Sequence, residues 1–291
     1  MNKNNLNFIF FGTPDVASET LEILKQNGFL PSLIVTAPDK PQGRKMLITP
    51  PPVKVWAIEN DIPYIQPENI TDLPQVRPVG PHRSDLWDKY EPELFIVVAY
   101  GKILPEEIIN FPKFGSINIH YSLLPKYRGA SPVESAILNG DTETGISIQK
   151  MKYKMDSGPI IAQEKVTILP DEKAGELRKR LIKIGGELLV KTLPPYIENK
   201  LTPIPQNDSE ATFCKKIKKE DGLIDLNDDG VKNYNKFRAY ATWPRTFFFS
   251  ANTSGGQDGK RIIITDAILE NNQFIIKKII PEGGKETNYK N

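Results

Sequence analysis

Apolar and polar positions alternate along the first part of the chain in blocks that suit strands and helices in turn. Asn7–Phe11 is a short apolar run ending in Gly12, and Thr13-Pro14 offers an N-cap and a first helical residue. The helix so opened should reach about Asn27 and close at Gly28. Pro31–Thr36 reads as a second strand and Pro50–Asn60 as a helix after a loop. Glu93–Tyr100 and Gly115–His120 are further strands, separated by a short helix near Pro105–Asn110. Strands alternating with helices predict a parallel-dominated α/β sheet. Gly145–Met151 and Pro159–Leu169 then read as paired strands, and Ala174–Ile197 as a long amphipathic helix with Gly185-Gly186 in its middle.

The pattern changes at Leu193–Ser209, where four prolines and few apolar anchors give linker composition. A helical stretch near Gly230–Tyr240 follows, then strand candidates at Phe247–Ser250, Arg261–Thr265 and Gln273–Ile280. These predict a small β-rich domain, an OB-like barrel or another small barrel. The expected organisation is therefore an α/β domain over 1–193, a linker over 194–209, and a small β-rich domain over 210–291.

Composition narrows the class. Apolar residues are 39% and charged residues 25%, a mix that buries a core and does not read as disorder. The longest uncharged apolar run, Leu94–Gly101, falls far short of the roughly 20 residues a membrane helix needs. The N-terminus carries no signal-peptide pattern, so a cytoplasmic location with no membrane partner is expected. Cys214 is the lone cysteine, and with only His82 and His120 beside it a Cys/His metal site is not expected. The net charge of +2 is uneven: residues 1–205 hold 24 basic and 24 acidic side chains, residues 206–291 hold 14 and 12. Asp39–Lys54 is also locally basic, with Lys40, Arg44, Lys45 and Lys54 against Asp39. Local excess of this kind suits a polyanionic partner, although a solvated loop has the same composition.

The first βα turn, FFGTPDVAS, has one glycine where a dinucleotide fingerprint needs three, which disfavours NAD or FAD. Chemistry concentrates instead in Gly115–Pro132, GSINIHYSLLPKYRGASP. Asn118 and His120 are two apart on a strand, so they project from one face, at the strand end where open α/β sheets bind ligands. Asp156 lies in a second turn, MDSGP, able to fold back over those ends. An amide donor, an imidazole and a carboxylate are what acyl transfer to an amine requires: two groups for the oxyanion, one to steady the imidazole and take a proton. A strand-end histidine with a structural asparagine and an Asx turn would leave the same trace.

The stretch NIHYSLLPKYRGASP with DSG downstream resembles the signature of the 10-formyltetrahydrofolate-dependent formyltransferases. FFGTPDVA, TAPDKPQGR, PPPVK, VVAYGKILP, ETGISIQKM, KKEDGLIDL and FRAYATWP extend that resemblance over nearly the whole chain. It implies a Rossmann-like catalytic domain followed by a shortened OB-like domain, and transfer of the formyl group of 10-formyltetrahydrofolate to the α-amino group of methionyl initiator tRNA; no metal and a monomer are expected. Asn118, His120 and Asp156 match the family's catalytic residues. Ser122, Leu123, Leu124 and Pro125, with Ala99, Tyr100, Gly101, Ile103 and Leu104, match its folate pocket. Lys40, Arg44 and Lys45 fall in its tRNA loop, and Lys126, Arg128, Lys215, Lys216, Lys218 and Arg238 complete the expected tRNA-binding set. The resemblance has departures: Met46-Leu47-Ile48 stands where lysines are usual, and Thr71–Ser84 is long and proline-rich, which makes His82 a surface residue with no expected role. A sugar-nucleotide N-formyltransferase would share the catalytic trio, and an RNA-binding protein on an inactive scaffold would share the basic residues. The basic loop argues against the first, the intact trio against the second.

Overall fold

A computed structural model describes residues 6–43, 45–73, 89–250 and 259–290. In chain order the elements are β1 (Phe8–Gly12), α1 (Asp15–Gln26), β2 (Leu33–Val35), β3 (Lys40–Gln42), β4 (Leu47–Thr49), α2 (Pro52–Glu59), β5 (Tyr64–Ile65), β6 (Leu94–Val98), α3 (Glu106–Ile109) and β7 (Ser116–His120). They continue with β8 (Arg128–Gly129), α4 (Pro132–Leu138), β9 (Glu143–Lys150), β10 (Ile160–Thr167), α5 (Ala174–Ile197), β11 (Phe213–Cys214), α6 (Gly230–Ala239), β12 (Phe247–Phe249), β13 (Arg261–Glu270), β14 (Gln273–Pro281) and β15 (Thr287–Asn288). Two compact units divide the chain and interleave along it. The first holds residues 1–125, 146–164 and 181–211; the second holds 126–145, 165–180 and 212–291.

The first unit is organised on a seven-stranded sheet in the order β10-β9-β7-β6-β1-β2-β5. β1, β2, β5, β6 and β7 run parallel, and β9 joins β7 antiparallel. All five residues of β1 and of β6 are buried, which is what a central parallel strand covered on both faces requires. Ile9, Phe11, Leu33, Val35, Phe95 and Val97 form a cluster with Tyr100, Leu104, Ile108 and Ile109. Gly185-Gly186, in mid-helix, are explained by close approach rather than flexibility. A Cβ on Gly186 would meet Ile23 of α1 at 2.6 Å, and one on Gly185 would touch Ile119 and Ile146 at 3.4 Å. The helix therefore lies with almost no gap on α1 and on the strands that carry the site.

The second unit contains a four-stranded antiparallel sheet, β12-β13-β14-β15. Tyr234 and Phe237 of α6 pack into its core with Ile224, Phe248, Ile264, Ala267 and Ile279. Asn271 and Asn272, both at positive φ, turn β13 into β14, the conformation a two-residue hairpin turn needs. The fold class is thus as expected: a Rossmann-like domain on a parallel-dominated sheet and a small β-rich domain of the OB-like kind.

Two local expectations change. Thr13 does not cap α1: the helix starts at Asp15 with Pro14 at its N-cap and no side-chain cap. Thr13 Oγ1 instead donates to Tyr100 O at 3.1 Å, tying the first turn to the segment after β6. The basic loop is a hairpin, β3 paired antiparallel with β4, which short polar-flanked triplets do not announce.

Candidate active site

β7 delivers Asn118 and His120 on one face at its C-terminal end, as the two-residue spacing requires. Flanking strands complete a row across the sheet, because Asn118 is in register with Val97 of β6 and with Gln149 of β9. Asn118 Nδ2 donates to Val97 O at 2.9 Å. Gln149 Nε2 reaches Asn118 Oδ1 at 3.2 Å and Asp156 Oδ1 at 3.0 Å. Asp156 returns to this row through a tight turn in which it adopts φ +50°. Gly158 permits the turn: a Cβ there would sit 1.7 Å from Lys150 O. Asp156 Oδ2 then faces His120 Nδ1 at 3.7 Å, with the two side chains 15% and 7% exposed. That separation is an ion-pair distance, longer than a direct hydrogen bond. Gln206, from the segment expected to be linker, donates to Asp156 O at 2.9 Å and Gly158 O at 2.7 Å and so holds the turn from outside.

The segments matched to the folate pocket leave β6 and β7, adjacent strands, at their C-terminal ends. Ala99 and Ile103 are exposed, and Leu123 and Pro125 are half-buried, so apolar side chains reach solvent in the two segments that leave those strand ends. Tyr100 and Leu104 belong to the core cluster, 3% and 2% exposed. They belong to the interior rather than to that exposed set, and burial pushes the Tyr100 hydroxyl up to about 12. Ser122 and Leu124 are likewise buried. Their loop is fastened by Ser147, whose Oγ donates to Ser122 O at 2.6 Å and accepts from Leu124 N at 3.0 Å and Gln163 Nε2 at 2.8 Å. Among the described residues, no group of three or more His, Cys, Asp or Glu is placed to hold a metal.

Sequence reasoning missed Gln149, Ser147, Gln163 and Gln206. Ser147 and Gln149 alternate with Ile146 and Ile148, a pattern that marks a strand with one polar face. Yet both polar residues are buried, and the β7–β9 register that makes them useful is not visible in one chain.

The basic set divides. Lys40 and Lys45 are exposed on the β3–β4 hairpin, with Met46, Leu47 and Ile48 at its tip 67%, 63% and 66% exposed. Arg44 lies outside the described residues, as does His82. Lys54 bonds both Asp39 oxygens, at 2.9 and 2.7 Å, so its charge is spent at the hairpin base. There Gln66 and then Lys54 hold the Asp39 carboxyl below its ordinary range by hydrogen bonds. In the second unit Lys126, Lys215, Lys216 and Lys218 are exposed. Arg128 and Arg238, also in the expected tRNA set, are buried, 1% and 6% exposed. Arg238 donates to Leu169 O, Glu172 O and Asn235 Oδ1 and sits over the Tyr234 ring, an interior role that keeps its guanidinium from phosphates.

The sheet order and the amide, imidazole and carboxylate groups brought together at the strand ends suit an acyl transferase on a Rossmann-like fold. The chain belongs to the formyltransferase family: residues 4–193 match Formyl transferase and residues 216–288 match Formyl transferase, C-terminal domain. Among individual proteins it is similar to methionyl-tRNA formyltransferases. That of Halalkalibacterium halodurans is 42% identical over 239 residues, covering 82% of this chain and 73% of the relative. That of Dictyoglomus thermophilum is 38% identical over 303 residues, covering 97% and 94%. A solved N-formyltransferase from Helicobacter canadensis, in complex with folinic acid and dTDP-3-aminofucose, shares the fold with a TM-score of 0.66 and 21% identity, covering 98% of this chain and 100% of that one.

Proposed function

We propose that this protein transfers the formyl group of 10-formyltetrahydrofolate to the α-amino group of methionyl initiator tRNA, supporting translation initiation. The observation that carries the reading is the grouping of Asn118, His120 and Asp156 at one strand end. Support for this acceptor comes from relatives of that activity, 38–42% identical over most of the chain.

The chemistry follows from those groups. The acceptor amine attacks as the free base, and α-amino groups titrate near roughly 7.7–8.0, so a usable fraction is neutral at physiological pH. As the new C–N bond forms, negative charge grows on the formyl oxygen. Asn118 Nδ2 keeps one N–H beyond its bond to Val97 O, and with His120 it donates to that oxygen. Asp156, oriented by His120, takes the proton lost by the amine and delivers it to the departing folate nitrogen. The bond from the formyl carbon to that nitrogen breaks as the proton arrives, so charge and atoms balance. Exposed Lys40, Lys45, Lys126, Lys215, Lys216 and Lys218 supply phosphate contacts. We infer further a catalytic domain over 1–193, a linker over 194–209 and a tRNA-binding domain over 210–291.

Purified protein with 10-formyltetrahydrofolate should formylate methionyl initiator tRNA far faster than a nucleotide-linked amino sugar. Preference for the amino sugar would overturn the acceptor, and no transfer to either would overturn the activity.

A further inference from the structure

A buried glutamine that the proposed chemistry leaves unused, Gln149, is 2% exposed and touches two of the three expected catalytic side chains. Its orientation is forced. Gly158 N–H can only donate, and it meets Gln149 Oε1 at 3.2 Å. The amide nitrogen of Gln149 must therefore point the other way, where it lies between Asp156 Oδ1 and Asn118 Oδ1. A carboxylate oxygen can only accept, so the same direction is demanded from that side. Once Gln149 presents N–H groups, Asn118 has to turn its carbonyl toward them. That leaves Asn118 Nδ2 for Val97 O, itself an acceptor, with its second N–H available to a ligand. The chain of constraint runs from a backbone N–H through one glutamine to the amide and the carboxylate.

We propose that Gln149 is the positioning residue of this site. With its two N–H donors it fixes which way the Asn118 amide faces and holds one Asp156 carboxylate oxygen while the other faces His120. The proposal rests on the reading of Asn118, His120 and Asp156 given above and adds what sets their geometry. Sequence neighbours carry the device. Gln149 stands in register with Asn118 across β7 and β9, and the Asp156 turn begins where β9 ends. Gly158, which accepts no Cβ because Lys150 O is in the way, keeps the orienting N–H at hand.

Three variants in the full chain test it. Gln149→Met keeps length and bulk and loses every donor. Gln149→His restores one donor on a side chain of similar reach. Thermal melting of each reports packing. The expected result for Gln149→Met is a fall in kcat of about 10- to 100-fold, the scale of a lost hydrogen bond to a charged group. The KM for 10-formyltetrahydrofolate should stay within about twofold, because the segments matched to the folate pocket are untouched. Gln149→His should recover part of the kcat loss. A Gln149→Met enzyme within about threefold of wild-type kcat would overturn the proposal. So would a parallel fall of kcat and melting temperature that Gln149→His fails to relieve, since that is the signature of packing alone. Gln149→Glu, which sets a carboxylate against two acceptor oxygens, should be the least active of the three; activity above that of Gln149→Met would count against the orienting role. Activity is read as a ratio to wild type on whichever acceptor wild type uses, so failure of the tRNA assignment shows separately. Crystal structures of wild type and Gln149→Met supply a reading without turnover. Asp156 and Asn118 should rotate in the variant, and unchanged side chains in both would overturn the inference.

Discussion

Replacing Ser147 by alanine removes a single hydroxyl from a fully buried position, and the structure says what that hydroxyl does. It donates to Ser122 O at 2.6 Å and accepts from Leu124 N at 3.0 Å and Gln163 Nε2 at 2.8 Å. Gln163 keeps its second contact, to Leu124 O at 2.9 Å, so it loses least. Leu124 N–H loses its acceptor inside the protein, at about 1–3 kcal/mol for a stranded buried donor. The lost bond to Ser122 O adds about 0.5–1.5 kcal/mol. Together these give a destabilisation of about 1.5–4.5 kcal/mol, with the lower half reached if the loop relaxes. The same loop carries Leu123 and Pro125, so the KM for 10-formyltetrahydrofolate should rise while the chemistry at Asn118, His120 and Asp156 stays intact. Urea unfolding of wild type and Ser147→Ala, with initial rates at varied folate, measures both. A stability loss below about 0.5 kcal/mol, or a kcat defect without a KM defect, would refute the assignment of Ser147 as the fastening of that loop.

Asn118→Ala and His120→Ala should each lower kcat by about 10²–10³-fold, the usual consequence of losing one oxyanion donor, with tRNA affinity nearly unchanged; filter binding and single-turnover rates separate the two. Lys215→Ala, Lys216→Ala and Lys218→Ala combined should weaken tRNA binding and flatten its dependence on salt. Arg238→Ala should leave that slope alone and instead destabilise the second unit by about 2 kcal/mol or more, because its bonds are to buried acceptors; melting curves and binding against salt distinguish these outcomes. Burial raises the Tyr100 and Tyr196 hydroxyls to about 12, above the unfolded value near 10. Their contribution to stability is therefore complete below about pH 10 and lost as pH rises toward about 12. Absorbance titration at alkaline pH should show tyrosine ionisation lagging until unfolding, and simple ionisation of every tyrosine near 10 in the folded protein would contradict it.

Element identity was largely legible in the chain. Periods of two and 3.6 residues, with glycine and proline as punctuation, located β1, β6, β7, α5 and β14 to within a residue or two. For β1, β6 and β7 they did so because those strands are buried along nearly their whole length. The spacing of Asn118 and His120 was enough to place them together, since a strand fixes the face of every second residue. Local patterning could not report pairing. Register set by the sheet made Gln149 the neighbour of Asn118, and a turn closed by Gly158 brought Asp156 across to His120. The same limit hid the burial of Arg128 and Arg238. Their charge is a property of the sequence, whereas their burial depends on which segments fold over them. Composition and spacing thus determined the fold class and the candidate chemistry. Tertiary structure alone decided which polar groups meet, because hydrogen bonds between side chains depend on distances that only strand pairing and turn closure define.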